Sequence, residues 1–162
     1  MAQILQEGTF SESPLGKPRM VCMPIDPQAQ TVLNSMAEAN LPPTNTLSPA
    51  QVRTNFRLRP IEPGPALFKV EDYMVPGESG LLTARIYVPK SDDLLPILVW
   101  FHGGGWVVGD LDTTDGTARQ LADQGDCIVA SIDYRLAPET KFPGPVEDCY
   151  TATRWIAEHA SQ

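Results

Sequence analysis

The chain has 162 residues, 42% apolar and 20% charged, enough for one sizeable core, with a formal net charge of -8 at pH 7. That acidic balance argues against a nucleic-acid partner, because phosphate binding needs clustered Lys and Arg. Apolar runs such as "LLPILVWF" fall far short of the roughly 18 residues a membrane helix needs, and "MAQILQEGTFSESP" lacks the basic and apolar regions of a secretory signal, so a cytoplasmic protein without a membrane partner is expected.

Residues 1 to 25 show no periodicity and read as an irregular arm. In "DPQAQTVLNSMAEAN", Asp26 can cap a helix with Pro27 at its first position. Ala29, Val32, Leu33, Met36 and Ala37 form its apolar face. "LPPTNTL" breaks this helix, and "SPAQVRTNF" opens a second one with Ser48 as cap and Pro49 at its start. Two helices therefore precede any strand.

"ALFKVEDYMV" and "LLTARIYVP" flank the turn "PGESG" and read as an antiparallel pair, the second alternating as a half-buried strand does. "LPILVWFH" is continuously apolar, as in a strand buried on both faces, and "DCIVASIDYR" has the same character. Between them, "LDTTDGTARQLADQG" reads as a helix capped by Asp112, with Asp115 in a capping-box-like position and Gly125 at its end. Strand, helix, strand is a parallel crossover. "GPVEDCYTATRWIAEHASQ" is the cleanest helix. Pro145 opens it, and Val146, Cys149, Tyr150, Thr153, Ile156, Ala157 and Ala160 repeat at helical spacing. The alternation says α/β. Cys22, Cys127 and Cys149 have no metal-ligand spacing and read as reduced, buried thiols; no metal or cofactor is expected.

Chemistry concentrates in "HGGGW". Glycines after a buried parallel strand put bare N–H groups at the carboxyl end of a sheet, where open α/β folds bind ligands. Two such groups aimed at one spot would stabilise an oxyanion. A phosphate loop fits poorly, since neither GxxxxGK[ST] nor GxGxxG is present. A tight turn needs fewer than three successive glycines.

"HGGGW", then "DYRLAPE" one crossover later, then "FP", resembles the hormone-sensitive-lipase-like branch of the α/β-hydrolases, the bacterial carboxylesterases. "DPQAQ", "LPP" and "SPAQVR" are similar to that family's N-terminal cap helices, so the resemblance runs from about residue 25 to the end. It implies the N-terminal half of an α/β-hydrolase fold. Residues 1–60 would be arm and helical cap, and 61–162 the first part of the core. The sheet order it implies is first, second, fourth, third, which leaves "LPILVWF" beside an absent nucleophile strand.

The resemblance also implies roles. Gly104 and Gly105 would supply oxyanion N–H groups, Gly103 room for the turn, and His102 orientation of the loop. Trp106 would wall the pocket. Asp133, Tyr134, Arg135 and Glu139 would brace the loop rather than react. One departure is "DTTD", with Thr114 where the family often has His.

Ester hydrolysis of this type needs a serine, a histidine and an acid. The nearest string to GxSxG is "GESGL", Gly77 to Leu81, which fails at Leu81 and sits in a hairpin turn. Of the two histidines, His102 belongs to the glycine motif and His159 ends the last helix, expected to face solvent. The triad is therefore expected on a C-terminal part or a second chain, this chain being a cleavage product or a truncated gene product. The expected substrate is a short- to medium-chain acyl ester, and the complete enzyme could form a homodimer. A second reading is a binding module, since the plant gibberellin receptors keep the glycine motif without hydrolysing their ligand. A third is an inactive fragment.

Overall fold

The computed structural model describes residues 24–59 and 61–160. Cys22 and most of the N-terminal arm lie outside the described residues. The chain divides into two compact units between Leu41 and Pro42. In the first, helix α1 (Pro27–Glu38) starts where expected, with the Asp26 carboxylate accepting from the Gln28 amide at 2.7 Å. No residue of α1 is buried.

The second unit begins with a single 3-10 turn, Thr44–Thr46, and helix α2 (Pro49–Arg57). Ser48 and Gln51 close a reciprocal capping box at its N-terminus. Helix α2 falls in the same compact unit as the strands. Strands β1 (Lys69–Gly77) and β2 (Gly80–Val88) form a hairpin in which Gly77 faces Gly80. Glu78 and Ser79 are its tip, so "GESGL" is a turn and no nucleophile elbow.

β3 (Ile97–Phe101) and β4 (Ile128–Ile132) pair in parallel, and β4 pairs antiparallel with β2. The sheet order is β1-β2-β4-β3, which matches the expectation. α3 (Asp115–Gln124) makes the crossover and α4 (Gly144–His159) follows β4. Alternation along β4 builds two cores. Val129 points with Tyr87, Ala118 and Ala122 toward α3. Ala130 and Ile132 point the other way, with Val75, Ala152 and Ile156 under α4.

Three expectations are corrected. Asp112 does not cap α3: the N-cap is Thr114, whose side chain makes no cap bond, because Asp112 is drawn to Arg85 at 2.8 Å and Asp115 to the Tyr87 hydroxyl at 2.9 Å. β3 is not buried on both faces, since it lies at the sheet edge and leaves Leu98 38% and Phe101 37% exposed. The buried face of α4 runs through Pro145, Asp148, Ala152 and Ile156, while Val146 and Tyr150 are exposed. A paired carboxylate, invisible to an apolar count, occupies its centre.

Candidate active site: the glycine loop after β3

β3 delivers the chain to His102, which is 2% exposed. Its ring stacks on Tyr134, centroids 4.5 Å apart and 16° between planes. The Tyr134 hydroxyl donates to the His102 carbonyl at 2.6 Å. His102 Nδ1 lies 3.0 Å from the Gly103 carbonyl, which can only accept, so Nδ1 carries the proton. Nε2 is buried, without a partner among the described residues. His102 is thus built into the base of the loop.

The loop then turns sharply. The Gly104 carbonyl accepts from the amides of Val107 and Val108, both at 3.1 Å. Gly104 has φ +141°, and a Cβ there would run into the Val108 carbonyl. Gly105 and Trp106 follow in the left-handed region at +59° and +60°. A side chain on Gly103 or Gly105 would point into open space. Among the described residues, the N–H groups of Gly104 and Gly105 have no acceptor. Trp106 is 60% exposed. A further glycine that the motif reading missed is Gly109, at φ +101°, where a Cβ would strike the His102 ring.

The loop faces an apolar wall. A cleft of about 360 Å³ lies between Leu47, Pro49 and Val52 on one side and Gly104, Gly105 and Val108 on the other. The wall is held in place by Arg53, which sequence reasoning did not single out. Its guanidinium donates to the Val107 carbonyl at 2.8 Å and to the Ala137 carbonyl at 2.8 Å. It also pairs through both terminal nitrogens with Glu139, at 2.9 and 2.7 Å. That pairing lowers the Glu139 pKa to about 2. The Ala137 amide returns a bond to the Trp106 carbonyl at 2.7 Å. One turn further along α2, Arg57 meets Asp110 at 2.8 Å. Burial would raise the Asp110 pKa, but its bonds to Thr113 and Arg57 outweigh it and lower the value. Thr114 donates to the Asp110 carbonyl at 3.1 Å.

The structure therefore gathers His102, Gly103, Gly104, Gly105, Trp106, Tyr134 and Glu139 around one loop. It does not bring Arg135 there. Arg135 pairs with Asp148 of α4 at 2.6 and 2.7 Å, and so ties the end of β4 to that helix. The Asp133 side chain is exposed and without a hydrogen bond among the described residues; only its amide is engaged, with the Thr83 carbonyl at 2.9 Å. His159 is not solvent-facing: it is half-buried, stacked on Trp155 at 4.2 Å, with Nδ1 2.8 Å from the Trp155 carbonyl. Neither histidine has a serine hydroxyl among its hydrogen-bond partners in the described residues.

Comparison with known proteins agrees with this geometry. A model of the alpha/beta hydrolase fold family matches residues 98–162. The esterase LipI of Mycobacterium tuberculosis is 46% identical over 114 residues, 68% of this chain and 36% of that protein. Carboxylesterase NlhH of the same organism is 38% identical over 144 residues, 85% of this chain and 43% of that protein. Among solved structures, the hyperthermophilic esterase of the archaeon Pyrobaculum calidifontis superposes with a TM-score of 0.73 at 38% identity, over 84% of this chain and 43% of that one. The chain thus spans less than half the length of these relatives. With a mixed sheet in hydrolase order, the glycine loop at its carboxyl edge and esterases among its relatives, the chain has the α/β-hydrolase fold and is similar to the N-terminal part of the hormone-sensitive-lipase-like carboxylesterases.

Proposed function

We propose that this chain supplies the oxyanion hole and one wall of the substrate pocket of a carboxylic ester hydrolase for short- to medium-chain acyl esters. The observation that carries the reading is the glycine loop at the end of β3, where Gly104 and Gly105 line a mostly apolar cleft and their N–H groups have no acceptor among the described residues. Such donors, fixed before reaction, are worth most where negative charge appears only in the transition state. In the proposed reaction a serine gives its proton to a histidine as it attacks the ester carbonyl, and the new oxyanion is received by Gly104 and Gly105. The alkoxide leaves with a proton from a histidine, and water then hydrolyses the acyl-enzyme. Serine, acid and base are assigned to a C-terminal part of the same hydrolase, in line or as a second chain, because the 162 residues hold no GxSxG and both histidines are structural.

The test pairs residues 1–162 with a polypeptide carrying the serine elbow. Neither part alone should hydrolyse a short-chain nitrophenyl ester; together they should, and a serine-directed phosphonate should label the elbow. Saturable turnover by residues 1–162 alone would mean the nucleophile has been misplaced. An inactive reconstituted pair, folded and with serine and histidine present, would count against the esterase reading.

A further inference from the structure

We infer that Arg53 is a positioning residue for the oxyanion loop: through it, helix α2 holds the orientation of the Gly104 and Gly105 amides. The inference rests on the esterase reading for its catalytic consequence, though not for its structural one.

The glycine loop has little of its own to hold it. Its residues from Gly103 to Trp106 have no side chain that packs inward, since the only large one, Trp106, is mostly exposed. Gly104 closes a turn onto Val107 and Val108, so the peptide that fixes the turn is the one carrying the Val107 carbonyl. That carbonyl is an acceptor for Arg53 Nε. The same guanidinium grips the Ala137 carbonyl, whose residue in turn holds the Trp106 carbonyl through its amide. The two peptides that follow the left-handed Trp106 are therefore tied to Arg53, the first through Ala137 and the second directly. Glu139 completes the arrangement by fixing the guanidinium plane with a two-toothed pair.

The Arg53 donors reach two segments, Nε the Val107 carbonyl and the terminal nitrogens Ala137 and Glu139, and the fork geometry is what allows this. A lysine would keep the charge beside Glu139 but offers one nitrogen, which cannot serve two carbonyls and a carboxylate in one plane. Val52, the neighbour of Arg53, lines the cleft opposite Gly104. One turn of helix thus sets both the pocket wall and the loop.

The test has two readouts. In the full chain, hydrogen exchange over residues 104–110 should speed up about tenfold in Arg53→Met, while β2 and β4 stay within about twofold of the parent. Should Arg53→Met fail to fold, Arg53→Lys serves, with an expected rise of about threefold over the same residues. In the reconstituted esterase, Arg53→Met or Arg53→Lys should lower kcat by about tenfold or more with KM within about threefold, because the oxyanion exists only after attack. A rise in KM at unchanged kcat would make Arg53 a mere pocket wall and overturn the inference. So would loosened exchange without loss of kcat, or loss of kcat without loosened exchange. If the parent pair hydrolyses no ester, the esterase reading fails and the exchange result alone decides whether Arg53 holds the loop. If the parent is active and the variants match it in both readouts, the Arg53 inference fails and the esterase reading stands.

Discussion

Gly104 and Gly105 differ in what an added methyl group would meet. At Gly104, φ is +141° and the new Cβ would press on the main chain of Val108, which is itself held in the turn. That backbone region is essentially closed to other residues, so Gly104→Ala should cost about 3 kcal/mol or more. At Gly105, φ is +59° and the Cβ points into open space, so Gly105→Ala should cost only about 1 kcal/mol. Urea unfolding of the two variants checks the ordering. In the reconstituted esterase both should lower kcat more than they raise KM. Glu139 gives a pH-dependent prediction. Its folded pKa, about 2, lies below the ordinary 4.5 because of the Arg53 pair. A carboxylate depressed in this way contributes stability that is fully present above 4.5 and is lost as pH falls toward 2. Glu139→Gln should therefore melt below the parent by a constant margin at neutral pH. The margin should close as pH drops through that window, and a gap that widened in acid would refute the pairing.

Helix α4 is held by a carboxylate rather than by apolar contact alone. Asp148 is fully buried and takes bonds from Arg135 Nε, Nη2 and amide and from the Glu78 amide, so it joins the helix, the end of β4 and the β1–β2 turn. Asp148→Ala would leave those donors facing a buried gap. Arg135 is partly exposed and can recover some water, which places the expected loss near the low end of the buried-pair range, about 3 kcal/mol by urea denaturation. The same pair shows why elements were more legible than their faces. The starts of α1 and α2 could be read because caps are local: Asp26 and Ser48 act within three residues of themselves. The buried face of α4 could not, because Asp148 earns its place through Arg135, 13 residues away, and Glu78, 70 away. The glycine loop was legible as a contiguous string. Arg53 was not, since its acceptors lie 54, 84 and 86 positions along the chain and leave no local pattern. Gly109 escaped for the same reason: its need comes from the His102 ring lying against it.

At the scale of the whole molecule, the sheet order leaves β3 with a partner on one side only, among the described residues. Beside it lies a mostly apolar groove lined by Pro96, Ile97, Val99, Thr153 and Ile156. Natural edges are blunted by charge, proline or bulges; within Ile97–Phe101 there is none of these in the sequence, and Pro96 just before it is the only such device. A strand this apolar is built to be covered. Relatives about twice as long as this chain make the identity of the cover a specific proposal: a parallel strand of the same hydrolase, the one that leads into the serine elbow. Placed there, the elbow would stand next to the end of β3, where Gly104 and Gly105 begin their turn. The expectation is that residues 1–162 alone self-associate on a sizing column. Addition of the elbow-bearing polypeptide should give a defined complex in which the amides along Ile97–Phe101 gain about tenfold or more in exchange protection. Those amides are the discriminating signal, because a partner bound to the exposed face of α4 would leave them unchanged. A monomer of residues 1–162 that stays soluble, with that edge exchanging freely before and after the second polypeptide is added, would remove both the strand pairing and the assembly that the esterase reading requires.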